Sequence, residues 1–88
     1  QPARPNPSSG RTTIVFVNAV ENGRVTVQIF DVTRRLVRTL VDVPMPSGRH
    51  EVIWDGGTEK GSPAAAGLYF YRLTAGDYAA AKRLVLVK

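Results

Sequence analysis

The chain has 88 residues, no cysteine and a formal net charge of +5, with 12 Lys and Arg against 7 Asp and Glu. This length accommodates one domain with a modest core, and the lack of cysteine excludes disulfide staples, thiolate metal sites and thiol catalysis. No apolar run approaches the ~18 residues a membrane-crossing helix needs and no charged-then-apolar leader opens the chain, so a soluble domain is expected; the start at Gln1 reads as a processed or excised product.

Gln1 to Gly10 carries three prolines, two serines and a glycine, and predicts an extended, polyproline-like arm. Thr12 to Asn18 (T-T-I-V-F-V-N) is a continuous β-branched and aromatic run that predicts a strand. Glu21-Asn22-Gly23 supplies a turn of the kind that tight hairpins use. From Arg24 to Asp31, Val25, Val27 and Ile29 alternate with Thr26, Gln28 and Phe30, and the first set is expected to face inward. Asp31 to Arg35 predicts a further turn into a strand over Leu36 to Val41.

Asp42 to Gly48 holds two prolines and is read as a connection that crosses between sheets, since proline cannot sit in a central strand. Arg49 to Leu73 then contains the only tryptophan together with Tyr69, Phe70 and Tyr71. Glu51 to Asp55 and Leu68 to Leu73 read as two strands bracketing a polar loop, with large aromatics for two sheets to close over. After a tight turn at Gly76-Asp77, Tyr78 to Val87 forms the last strand, with Ala81, Arg83, Val85 and Val87 alternating with Ala80, Lys82, Leu84 and Leu86. Apolar groups on both faces of a terminal strand mean that it is buried or awaits a partner. Six or seven short strands with regular turns, and no helical pattern, predict an all-β antiparallel sandwich.

Several of these stretches carry a family resemblance. W-D-G at Trp54 to Gly56, the polar loop with Lys60-Gly61 and Pro63, and G-L-Y-F-Y-R-L at Gly67 to Leu73 resemble the immunoglobulin-like domain of the flagellar hook-capping protein. V-T-V-Q-I-F-D (Val25 to Asp31) and R-L-V-R-T-L-V (Arg35 to Val41) extend the likeness upstream. The Pro5-Asn6-Pro7 opening and the closing K-R-L-V-L-V-K (Lys82 to Lys88) are similar to the type A C-terminal sorting domain of the type IX secretion system. The resemblance implies an immunoglobulin-like sandwich over residues 11–88, with the arm of residues 1–10 lying along it at Pro5 to Pro7. One departure stands out: relatives usually place Gly where this chain has Arg34, so a left-handed backbone there would cost about 1 kcal/mol.

Catalytic groups are scarce. His50 is the one histidine, and its neighbour Glu51 points to the opposite face of an alternating strand. Gly61-Ser62-Pro63 is not a nucleophile elbow, because proline follows the serine, and it reads as a turn. Asp55, Thr58 and Glu59 could offer oxygens to calcium, but Asp-Gly is first of all turn chemistry and the spacing fits no calcium loop. Trp54, Tyr69 and Tyr71 could stack sugars, though core packing is the expected role. The nine arginines are scattered and accompany no nucleic-acid motif; only Arg34, Arg35 and Arg38 cluster locally.

The expectation is therefore a non-catalytic extracellular interaction module of the secretion-sorting or surface-attachment type, without cofactor, metal or nucleic acid. Its partner would be secretion or outer-membrane machinery at a bacterial surface. The resemblance places recognition on Pro5, Asn6, Pro7, Gly67, Tyr69, Tyr71, Lys82, Arg83, Leu84, Val85, Leu86, Val87 and Lys88. The alternative is a self-assembling structural subunit of an extracellular filament, joined by strand donation or edge pairing through Thr12 to Asn18 and Leu84 to Val87.

Overall fold

The alternation of Val25, Val27 and Ile29 with Thr26, Gln28 and Phe30 becomes the inner and outer faces of strand β3 (Gly23–Phe30) in the computed structural model, which describes residues 8–9 and 11–87. All three aliphatic side chains of the first set are fully buried. Strand β3 pairs antiparallel with β4 (Leu36–Met45) on one side and β6 (Gly67–Ala75) on the other. Beyond β6 lies β7 (Tyr78–Val87), and a two-residue strand β1 (Ser8–Ser9) joins the end of β7 in parallel. The order of this five-stranded sheet is β1-β7-β6-β3-β4. Strands β2 (Thr12–Asn18) and β5 (Gly48–Trp54) form a second, antiparallel pair.

The fold is thus an all-β, immunoglobulin-like sandwich with seven strands, the larger sheet packed on the smaller. Ile14, Phe16 and Trp54 from the small sheet meet Val25, Val27, Ile29, Tyr69, Tyr71, Leu73, Leu84 and Leu86 from the large one. Removing each large aliphatic or aromatic side chain from water contributes about 1.5–3 kcal/mol, which makes this interior the main driving force for folding. Asn18 is a buried polar residue at the end of β2, and its bonds explain why it is tolerated. Its Nδ2 donates to the carbonyls of Met45 (2.9 Å) and Pro46 (3.2 Å), and its Oδ1 accepts from the Val20 amide (3.3 Å).

Two expectations are corrected. The Asp42 to Gly48 stretch is not a connection throughout: β4 continues to Met45, so only Pro46 and Ser47 separate it from β5. Pro44 fits because β4 is an edge strand, where a missing N–H can face away from the ladder. The crossing between sheets does occur there. Glu21-Asn22-Gly23 does turn, with the Gly23 amide donating to the Val20 carbonyl (3.0 Å) and Asn22 at φ 59°. It makes no hairpin, however, because β2 pairs with β5 while β3 pairs with β4 and β6.

Arg34 adopts φ 69°, so the chain keeps the left-handed turn without glycine. Asp31 compensates: its Oδ1 accepts from the Thr33 amide (2.9 Å), the Thr33 hydroxyl (2.6 Å) and the Arg35 amide (3.0 Å). These bonds, the Thr33 hydroxyl first, hold the Asp31 carboxyl below the usual carboxylate range. The β6–β7 hairpin closes through Gly76 at φ 61°, a conformation that a two-residue turn requires and that glycine adopts without strain.

Candidate interaction surface

Strand β7 presents two different faces. Leu84 and Leu86 point into the core, each 1% exposed, whereas Val85 and Val87 point outward at 39% and 42%. Arg83 lies on the same outward face, next to Phe70 across the ladder, and Lys82 is exposed on the inner side of the strand. β1 pairs with the outer edge of β7 at Leu86 and Val87. The strand therefore sits near a sheet border with apolar and basic groups turned to solvent, an arrangement suited to receiving a protein segment.

The remaining residues on which the resemblance places recognition divide sharply. Gly67 opens β6, exposed and at φ 147°, opposite Leu86. Tyr69 and Tyr71 belong to the interior at 7% and 2% exposure, so their rings are not part of the outer surface. Pro5, Asn6, Pro7 and Lys88 lie outside the described residues.

Between the β2 and β7 borders the two sheets part, leaving a groove of about 320 Å³. Val15, Phe16 and Val17 line one wall, Tyr71 and Leu73 the floor, and Tyr78, Ala80 and Lys82 the other wall. At the opposite end the sandwich is closed. Trp54 is wholly buried, its indole N–H donates to the Gly57 carbonyl (2.9 Å), and its ring meets Tyr69 edge-on with centroids 5.3 Å apart. The Tyr69 hydroxyl donates to the Ala65 carbonyl four residues upstream (2.6 Å), in the manner of the tyrosine corner of immunoglobulin-like sandwiches. Burial pushes the Tyr69 phenol above its ordinary value, with the Asp31 carboxylate adding to the effect, which favours the neutral donor. Trp54, Tyr69 and Tyr71 are thus core groups and not a sugar platform.

The polar loop after Trp54 spends its carboxylate oxygens on its own backbone and on β4. Asp55 Oδ1 accepts from the Gly57 amide (2.9 Å) and lies 3.4 Å from the Arg38 guanidinium, while Glu59 Oε1 accepts from the Thr39 amide (3.0 Å). Among the described residues no group of three or more His, Cys, Asp or Glu side chains is placed to hold a metal ion. His50 donates to the Pro46 carbonyl (2.7 Å) and its ring lies against Phe16 at 5.6 Å, while Glu51 pairs with Arg49 (3.0 Å). The histidine and its neighbouring carboxylate thus have separate structural partners.

The local cluster of Arg34, Arg35 and Arg38 does not persist in space. Arg38 turns to Asp55, while Arg34 borders a hollow of about 440 Å³ on the outer face of the large sheet with Phe30, Phe70, Arg72 and Ala81. Sequence reading missed this grouping because its members come from three separate segments; the pairing of Phe30 with Phe70 and of Arg72 with Ala81 brings them together.

The chain is similar to known proteins in keeping with this geometry. The model of the FlgD Ig-like domain matches residues 8–78, ending at the first residue of β7. Dimeric latent PorU from Porphyromonas gingivalis is 25% identical and superposes with a TM-score of 0.79, covering 97% of this chain and 9% of that one. FlgD from Xanthomonas campestris, a protein of flagellar hook capping, is 25% identical with a TM-score of 0.68, over 94% of this chain and 59% of that one. PorZ, an essential surface component of the Porphyromonas gingivalis type-IX secretion system, shares the fold at 21% identity and a TM-score of 0.62, over 98% of this chain and 11% of its own. No curated protein matches. With the family model covering the strands from β1 through β6, the chain belongs to the FlgD Ig-like domain family.

Proposed function

We propose that the domain is a non-catalytic interaction module of the secretion-sorting or surface-attachment type, acting at or outside a bacterial surface and read through β7 and the adjoining start of β6. The observation that carries this reading is the two-faced construction of β7. Leu84 and Leu86 anchor the strand in the core, and the same strand turns Arg83, Val85 and Val87 outward near the sheet border. A partner can therefore grip the strand without unfolding the domain. Likeness to PorU and to a surface component of type-IX secretion supports a protein partner in machinery of that kind. The test is a fusion of the 88-residue chain to the C-terminus of a fluorescent reporter in a host that has the type-IX apparatus. The reading predicts reporter at the cell surface, and retention in the periplasm overturns it.

A second reading is a structural subunit that polymerises by strand donation. The apolar groove between the β2 and β7 borders favours it, because a groove flanked by two strands is the shape an added strand fills. Sedimentation of the isolated chain decides between them. A single species near 9.6 kDa supports the appended module, whereas regular large assemblies support the subunit, and deletion of residues 1–10 then shows whether the arm makes the contact.

A further inference from the structure

The outer face of the large sheet has a polarity that the secretion reading uses only in part, through Arg83, Val85 and Val87 of β7. Along β6 its outward residues run Arg72, Phe70, Leu68, and along β7 they run Ala81, Arg83, Val85, Val87. The antiparallel register sets Arg72 beside Ala81, Phe70 beside Arg83 and Leu68 beside Val85. Phe30 of β3 extends the Phe70–Arg83 row, and Leu36 of β4 extends it further. The middle of the face is consequently cationic, with Arg34, Arg72 and Arg83 around the Phe30 and Phe70 rings. The end beyond that row is aliphatic, with Leu68 at 39% exposure and Val85 and Val87 beside it.

The acids that could neutralise these guanidiniums are committed elsewhere. Asp31 is bound to the backbone and hydroxyl of its own turn. Asp42, the outward acid of β4, pairs with Arg24 at 2.9 Å and accepts from Thr26 at 3.2 Å. Arg24 and Asp42 thus form a self-contained pair at the far corner of the sheet. No ion pair involving Arg34, Arg72 or Arg83 forms among the described residues.

We infer that this face docks an extended acidic peptide of a partner protein, in which a carboxylate stands two residues from aliphatic side chains. In an extended segment, residues i and i+2 lie on one face about 6.6–6.8 Å apart, the same step that separates Arg72 from Phe70 and Arg83 from Val85. A Glu-x-Leu-x-Leu segment laid along β6 and β7 would set its carboxylate against the guanidiniums and its leucines on Leu68, Val85 and Val87. Guanidinium forks bind carboxylates in two parallel hydrogen bonds, which fixes the direction of the peptide. The aliphatic end is what selects a peptide over a nucleic acid, whose bases and phosphates would leave Leu68, Val85 and Val87 uncovered. The assignment shares Arg83, Val85 and Val87 with the secretion reading and adds the β6 row and the ligand's chemistry; its test needs no secretion apparatus, so either can fail alone.

The experiment is an amide NMR titration of the full 15N-labelled chain with the synthetic peptide acetyl-Glu-Ser-Glu-Ser-Leu-Ser-Leu-amide. A control peptide carries Lys in place of Glu, and a third arm uses an oligothymidylate eight nucleotides long. The expected result is saturable shifts confined to Leu68, Phe70, Arg72, Ala81, Arg83, Val85 and Val87 with the acidic peptide only. The double variant R72E/R83E is expected to weaken that binding at least tenfold with an unchanged melting curve, and R72Q/R83Q to weaken it less. Shifts that are absent or map elsewhere, equal response to the Lys peptide, or tighter binding of the oligothymidylate at the same residues would each overturn the assignment.

Discussion

The two ends of this sandwich are built on opposite principles. At the Trp54–Tyr69 end the sheets close over an edge-to-face aromatic pair, and both polar atoms of that pair are bonded to backbone carbonyls. At the β2–β7 flank the sheets part around an apolar groove, and β7 turns valines and a cationic side chain to solvent. The closed end seals the interior that both sheets share, whereas the open flank leaves part of that interior lining a groove. The contrast teaches that one sandwich can close one end over an aromatic pair and still leave apolar side chains exposed along a strand whose other face is core.

Substitutions that separate the two ends should differ by several kcal/mol. Trp54→Ala, at the centre of the closed end, is expected to lose about 3–5 kcal/mol. That is a large part of a stability of about 5–15 kcal/mol, so urea melts should show a partly or wholly unfolded population. Tyr69→Phe retains the ring and removes only the hydroxyl that donates to Ala65, for an expected loss of about 1 kcal/mol in the same melts. A loss near zero would mean that the corner bond does not contribute.

Arg34→Gly should move in the opposite direction. Relief of the left-handed strain is worth about 1–2 kcal/mol, and the added freedom of glycine in the unfolded chain returns about 0.5–1 kcal/mol of it. A net gain of about 0.5 kcal/mol is expected, and a clear loss would show that the Arg34 side chain makes a stabilising contact. The acid response should be smaller again, because Asp31 and Asp42 are both solvent-accessible. Hydrogen bonds lower both carboxyl groups, from Thr33 first in Asp31 and from Arg24 first in Asp42. Groups depressed in the folded state stabilise it above their unfolded value near 3.8 and lose that contribution as pH falls through the native values. Melting temperature should therefore hold steady at neutral pH and begin to decline below about pH 4, and Asp31→Asn should shrink that decline. Val85→Lys, on the open side, should change stability by no more than about 0.5 kcal/mol.

The core was legible in the sequence because its signals are local. Val25, Val27 and Ile29 alternate with outward-facing neighbours, Tyr78 to Val87 is a strand with the expected bounds, and Trp54, Tyr69 and Tyr71 are core groups. Pairing was less legible. Asn22-Gly23 encodes a positive φ but not which strand follows into which sheet, and the edge position that lets Pro44 continue β4 depends on distant partners. The same non-locality governs the surface. The grouping of Arg34, Arg72 and Arg83 arises only from the ladders joining β3, β6 and β7.

The central claim is that β7 holds the fold with one face and is recognised with the other. The most direct measurement compares surface display of a reporter fused to the native chain with that of the V85D/V87D variant, in the same type-IX host, alongside the melting curve of each isolated domain. The account predicts nearly equal melting and loss of display for the variant. Undiminished display by a folded V85D/V87D domain would contradict it, because the outward valines of β7 would then play no part in recognition.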